Sequence, residues 1–303
     1  MAAPAVTTPA SVPLGVRRSA KTRRRLTIFL LLAPAVAIVG GALIVPALNL
    51  LVQSFVRSLG YGQLSYHFTL SNYTSALADP LYRTLALRSF GLGAVTAVCC
   101  LLLAYPVSFY VSFRLKRGRN LALYLVVLSL FSSYLVRLYA WYTVLGTDGM
   151  INGVLKSLGI IHEPLSFLLF NRFAVLIAFV NIFLPFSILM ITSAMQNIPR
   201  EVLDSAHDLG AGPVRTFTRV VLPLTMTGLI GAFAYTFILT SGDYITPALL
   251  GGATASTALA NTVTNEFLSQ GNPPAGAAIS FVMLAVFFIV YALLGQLERF
   301  KGI

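Results

Sequence analysis

Acidic side chains are what this sequence has least of. Asp and Glu together number 9 in 303 residues, against 21 Lys and Arg, and all charged residues make up 10% of the chain. A soluble domain runs near a quarter charged. With 57% hydrophobic residues, the balance is that of a polytopic membrane protein. Cysteine is almost missing too: Cys99 and Cys100 are neighbours within one apolar run, a spacing that disfavours a structural disulfide between them, and metal-ligand spacing is absent. The familiar catalytic frames are also lacking. No glycine-rich phosphate loop, HExxH or CxxC pair occurs, and His67, His162 and His207 fall in different loops. No catalytic residue and no metal ligand is assigned.

The formal charge of +12 would suit a nucleic-acid binder, but the basic residues form no groove-like patch with aromatics between them. They sit in short segments beside apolar runs, as the positive-inside rule requires. Residues 1–20, rich in Ala, Pro, Ser and Thr, read as a disordered tail. Arg17, Arg18, Lys21 and Arg23 to Arg25 anchor it to the cytoplasmic face. The division is thus a basic tail at 1–25 and a membrane domain at 26–303.

Apolar runs at 26–56, 89–113, 121–145, 173–195, 220–240 and 275–296, uncharged but for Arg137 in the third, each reach the ~20 residues a helix needs to cross the hydrocarbon core. The first is too long for a signal-peptide core and is read as an uncleaved span, with Pro34 and Pro46 as places for a kink. Six spans put both termini on one side. The basic residues at the N-terminus, at 114–120, between the fourth and fifth spans, and at Arg299 and Lys301 after Glu298 mark that side as the cytoplasm. Residues 57–88, 146–172 and 241–275 are then outer segments.

The longest polar interruption, residues 199–223, carries its own helix punctuation. Asn197 and Pro199-Arg200-Glu201 offer a start, Gly210 an end, and Gly212-Pro213 a second start. Val202, Leu203, Ala206 and Leu209 are expected on one face, with Glu201, Asp204, Ser205 and Asp208 turned away. Here the chain resembles the permease subunits of binding-protein-dependent ABC importers, whose cytoplasmic loop reads E-A-A, three residues, G, nine residues, I-x-L-P. Asp204-Ser205-Ala206, Gly210, Val220, Leu222 and Pro223 fit it, with Asp for Glu, Ser for Ala and Val for Ile.

A second stretch, SGDYITPALLGG from Ser241, holds Gly242 and Pro247 and predicts a broken helix near the outer surface. A carboxylate at that depth, Asp243, is a site hypothesis by default. Arg137, at a similar height on the third span, is its possible ion-pair partner; pairing and solute contact both stay open. The aromatics Tyr134, Tyr139, Trp141 and Tyr142 nearby read first as an interfacial belt. VRLYAW, INGVLKSLGII, the Leu-Pro-Phe at Leu184, GDYITPALLGG and NEFLSQGNPPAGAAIS together resemble the spermidine/putrescine class of these permeases, from about residue 60 onward. Relatives in that subfamily that import opines or other small organic solutes, such as amino-acid derivatives, look alike.

The resemblance implies an all-α, six-span permease with the type I importer fold. It further implies a coupling loop at 197–220 carrying Glu201, Asp204, Ser205, Ala206, Leu209 and Gly210, with Leu222 and Pro223 at its exit. A second permease subunit (a paralogue), two ATP-binding subunits and an external solute-binding protein are implied as partners. ATP and magnesium would be used by the ATPase subunits, with no cofactor on this chain, and the location would be the inner membrane of a prokaryote. A polyamine needs carboxylates and aromatic faces. Asp243 with Tyr244, Trp141 and Arg137 beside them, and Glu266 on the last outer segment are therefore the expected pathway residues. Two rival classes are weighed against this. A secondary transporter would show ionisable residues at mid-membrane, and a membrane scaffold would need neither the broken helix nor the Leu-Pro-ended loop.

Overall fold

The computed structural model describes residues 14–60, 63–115, 117–165, 168–252 and 258–300. Residues 1–13 of the expected tail and Lys301 lie outside them. The chain divides into two units, residues 1–53 and 54–303. The described residues of the first belong to helix α1, Leu14–Ser54, whose last residue falls in the second unit and which runs unbroken through Pro34 and Pro46. It begins well before residue 26, so backbone expected to be a loose basic tail is helical from Leu14. Its membrane-length part is Leu31–Ser54.

The second unit opens with structure that hydropathy does not signal. Strands β1 (Val56–Gly60) and β2 (Gln63–Phe68) form an antiparallel hairpin with Val56 opposite Phe68 and Arg57 opposite Ser65. Phe55 stacks on Phe68 with ring centroids 4.9 Å apart. The Asn72 amide on helix α2 (Ser71–Ala78) donates to the Ser54 and Val56 carbonyls at 2.9 and 2.8 Å. Helix α3 (Pro80–Phe109) then starts earlier than the expected position 89. Asp79 caps it by accepting from the Leu81 amide at 2.8 Å, and Pro80 occupies the first turn. Arg83 and Arg88, read as loop charges, therefore lie on its first three turns.

Helix α3 continues as a π-helical turn, π1 (Tyr110–Arg114), and the chain re-enters through α4 (Arg119–Leu130), α5 (Tyr134–Leu145) and α6 (Met150–Ser157). Helix α7 (Arg172–Gln196) is capped by Asn171, whose side chain accepts from the Ala174 amide at 2.9 Å. Then come α8 (Arg200–Asp208), α9 (Pro213–Thr216), a second π turn π2 (Phe217–Val221), α10 (Leu222–Leu224) and α11 (Met226–Ser241). The short α12 (Ile245–Leu250), α13 (Leu259–Leu268) and α14 (Pro273–Phe300) finish the chain.

Four helical segments are long and apolar enough to cross a membrane, and two bent pairs bring the number among the described residues to six when each pair is counted as one span. The third span was expected at 121–145, with no break assigned within it. Instead Arg119–Leu130 meets Tyr134–Ser157 at 88°. Ser133 takes an extended backbone, φ −56° and ψ 139°, which stops the helix without glycine or proline. The fifth bends by 61° between Pro213–Leu224 and Met226–Ser241, where Thr225, fully buried, turns its hydroxyl back to the Val221 carbonyl at 2.9 Å.

Helix α7 is the axis of this unit. Its Val175, Phe179 and Ile182 pack with Leu138 and Leu145 of α5, Cys100 of α3 and Leu250 of α12. Lower down, Ile188, Ile191 and Met195 pack with Ala104 and Ala232. In lipid, close packing rather than water exclusion holds helices together, so small residues sit where backbones approach. A Cβ on Gly228 of α11 would stand 2.5 Å from the Ala194 Cβ and 3.2 Å from the Met190 carbonyl of α7. One on Gly93 of α3 would stand 2.1 Å from the Ser241 hydroxyl of α11.

Candidate functional site

At the loop between α7 and α11 the sequence dictates a helix end with a defined reversal. Gly210 has φ +75°, a left-handed angle open to glycine at little cost. It lets the Gly210 amide reach the His207 carbonyl at 2.9 Å and the Ala211 amide reach Ala206 at 3.0 Å. These two bonds are the Schellman closure. Gly212 and Pro213 then open α9, as expected. Pro199 stands just outside α8 as its N-cap and supplies no side-chain bond. Glu201 lies in the first turn beside the positive helix end.

The expected apolar face is only half used. Leu203 and Ala206 are half-buried, while Val202 is 38% exposed and Leu209 85%. An amphipathic face wider than the wall it packs on leaves a remainder, and here the remainder is Val202, Leu209 and the neighbouring Val214, 74% exposed. Glu201, Asp204 and Ser205 are exposed around it. Leu222 and Pro223 are half-buried in α10, ahead of the 61° bend, and not on the loop's tip.

At the other end of α11 the helix stops at Ser241 and restarts as α12, as Gly242 and Pro247 predicted. Asp243 ties this break together. Its Oδ1 accepts from the Ile245 amide at 2.8 Å, and its Oδ2 from the Thr246 hydroxyl at 2.5 Å and from the Tyr134 hydroxyl. All three donors are neutral.

The possible pair with Arg137 is not formed. The Arg137 guanidinium donates to the carbonyls of Ser132 at 3.1 Å, Ile182 at 3.3 Å and Ser129. The reason is local: the 88° break leaves the carbonyls of Ser129, in the last turn of α4, and of Ser132, in the break itself, without helical donors. A planar fork of donors satisfies both at once. Beside it lies a hollow of about 500 Å³ bordered by Ser129, Ser132, Asn181 and Pro185.

Of the other expected residues, Tyr244 is exposed and gives its carbonyl to the Asn261 amide at 2.9 Å. Trp141 is half-buried and packs on the α5–α7 core. Glu266, expected on an open outer segment, is only 3% exposed and belongs to a different cluster. Tyr82 of α3 donates to its Oε1 at 3.1 Å, while its Oε2 is enclosed without a hydrogen-bond partner. Tyr134 and Thr246 complete the Asp243 cluster and were not singled out as site residues. The signal for Thr246 was its place three residues after an Asp at a helix start; Tyr134 gave only its membership of an aromatic group.

The family model described as binding-protein-dependent transport system inner membrane component matches residues 104–301. Over 251 residues the chain is 35% identical to the spermidine/putrescine transport system permease protein PotB of Haemophilus influenzae, covering 82% of this chain and 87% of that one. It is 31% identical over 249 residues to PotB of Escherichia coli K12, covering 81% and 90%. Among solved structures, a bacterial alginate ABC transporter in complex with alginate pentasaccharide-bound periplasmic protein contains a chain that superposes with TM-score 0.76 at 14% identity, covering 93% of this chain and 97% of that one. That likeness is one of fold.

Proposed function

Since the chain belongs to the family of binding-protein-dependent transport system inner membrane components, we propose that this permease subunit serves an ATP-driven importer of polyamines of the spermidine and putrescine type. The observation that carries the solute class is the 35% identity to a spermidine/putrescine permease over 82% of the chain. In this reading both termini and the α8 loop face the cytoplasm. The exposed apolar remainder of the loop, Val202, Leu209 and Val214, is the surface that an ATP-binding subunit covers. Two such subunits, using ATP and magnesium, a paralogous second permease and an external solute-binding protein complete the importer; this chain itself holds no cofactor.

The geometry supports a mechanical path. Closure of the ATPase pair pushes on α8, which its Schellman closure holds as one body with the start of α9. The push passes through π2 and α10 to the bend at Thr225 and so into α11. Gly93 and Gly228 leave no slack between α11 and its neighbours α3 and α7. At the far end, α11 leads through Gly242 into Asp243, which holds Tyr134 of α5. A displacement at the loop thereby reaches the outer break of two spans. Because Asp243 is held by neutral donors alone, its charge remains to attract a cationic solute along the pathway.

The test is uptake of radiolabelled putrescine and spermidine by cells that lack their own polyamine importers and express this chain with its partner subunits. Uptake above the empty vector supports the reading. Uptake of an opine or amino-acid derivative alone would keep the importer and replace the solute. Sidedness is tested separately, in a Cys99→Ala, Cys100→Ala background. A cysteine at Ser269 should label from outside and one at Ser205 only after permeabilisation.

A further inference from the structure

Between α8 and the adjoining ends of α3 and π2 lies a groove of about 870 Å³ that the coupling reading does not use. One face of α8 forms a wall: Arg200, Leu203, Asp204 and His207 line it, at the i, i+3, i+4, i+7 spacing of a single helical stripe. This is the side away from Val202, Ser205 and Leu209. The facing wall is aromatic. Phe109 closes α3, Phe113 lies in π1, and Phe217 opens π2, with Phe109 and Phe217 meeting edge to face at 6.0 Å. Arg119, at the start of α4, reaches the same groove.

Two observations point to an occupant. Ser112 lines the groove, and its hydroxyl is enclosed without a hydrogen-bond partner; a buried polar atom in that state is costly unless something satisfies it. The lining also carries two guanidiniums, Arg119 and Arg200, against one carboxylate, Asp204, a surplus of a single positive charge before His207 is counted. Cationic donors over an aromatic floor, at the ends of membrane spans, match a molecule with an anionic head and an apolar body.

We propose that this groove holds the phosphodiester headgroup of one anionic phospholipid, with Arg119 and Arg200 on the phosphate, the Ser112 hydroxyl turning out from its enclosed position to donate to an ester oxygen, and the first acyl carbons against Phe109, Phe113 and Phe217. A lipid so placed fills the space behind α8 and sets how far the helix can yield when pushed. The inference rests on the proposed orientation only in taking this end as the cytoplasmic one.

The test is native mass spectrometry of the assembled importer, extracted from membranes and exchanged into detergent carrying phosphatidylglycerol or phosphatidylcholine. Wild-type complex should retain phosphatidylglycerol in preference to phosphatidylcholine. Arg119→Gln with Arg200→Gln should weaken retention by roughly fivefold per arginine. Ala211→Trp, which puts a ring into the groove and leaves every charge in place, should displace the lipid as well. Equal retention in wild type and both variants would overturn the proposal. So would equal retention of the two lipids, or binding that emerges only after the ATP-binding subunits are stripped, since the groove would then be their seat. The lipid count reads the groove and not its sidedness, so an error in orientation shows in the Ser205 labelling and leaves this measurement standing.

Discussion

Tyr134 donates its hydroxyl to the Asp243 carboxylate, joining the first turn of α5 to the break after α11. Thr246 closes the triangle, 2.5 Å from both the phenol and the carboxylate. Structural tie and solute attraction then separate by substitution. Tyr134→Phe removes one donor and keeps the charge; it should cost about 1–3 kcal/mol of stability, read as a lower thermal midpoint, and should lower polyamine uptake per folded molecule less than loss of the charge does. Asp243→Asn keeps an acceptor for the Ile245 amide but removes the charge, and should lower both the midpoint and uptake. Equal uptake per folded molecule in the two variants would leave Asp243 a purely structural residue.

Arg137 holds the bend in the third span, so its loss should be felt as misfolding and not as altered solute preference. Arg137→Met leaves three carbonyls without their donor and should reduce the yield of folded protein, at a cost of about 3–5 kcal/mol. Arg137→Lys, a point charge where a fork is needed, should recover less than half of that. Adding Arg137→Gln to Asp243→Asn should bring no rescue. Rescue in the double variant would restore the ion pair that the geometry denies.

Legibility followed the kind of physics involved. Six spans could be read because twenty apolar residues in a row admit few other meanings, and the reversal at Gly210 because glycine is the cheap residue at positive φ. The break at Phe131-Ser132-Ser133 could not, since those residues carry neither proline nor glycine and the carbonyls the bend frees are met by Arg137, whose reach the sequence does not show. The Arg137–Asp243 pairing looked reasonable by height and charge. Height says nothing of direction, and the guanidinium points to carbonyls instead. Glu266 was misplaced for a related reason: a lone acid between two spans reads as exposed until Tyr82, some 184 positions away, is seen to cover it.

Gly210→Val should disconnect the loop from its partner. The left-handed angle costs a β-branched residue upward of about 1–2 kcal/mol, and the reversal that presents Leu209 would be lost. The variant should insert into the membrane normally but fail to co-purify the ATP-binding subunits. Gly210→Asn, which tolerates this angle, should retain them. Normal co-purification with Gly210→Val would remove the loop from the coupling path.

Two membrane glycines should behave in opposite ways. At Gly228 a methyl group meets another Cβ at 2.5 Å and backbone at 3.2 Å, contacts that only a shift of α11 against α7 can relieve. Gly228→Ala should therefore lower thermal stability by about 1–3 kcal/mol. At Gly91 nothing lies within 4 Å, and Gly91→Ala should be neutral or stabilising by up to about 1 kcal/mol. A reversed order would contradict the packing of α11.

The two π turns have a consequence for how such a helix can move at all. Each closes a ring one residue wider than the α ladder, as in the Leu115 amide on the Tyr110 carbonyl at 2.9 Å and the Leu222 amide on Phe217. A surplus residue of this kind is a dislocation in a crystal row: it travels by handing one carbonyl from donor to donor, and every side chain it passes turns by about 100° while the helix on either side stays whole. Phe109, at the head of π1, and Phe217, at the head of π2, lie edge to face. A shift of either dislocation past its phenylalanine would turn that ring against the other, so two turns far apart in sequence meet at one contact.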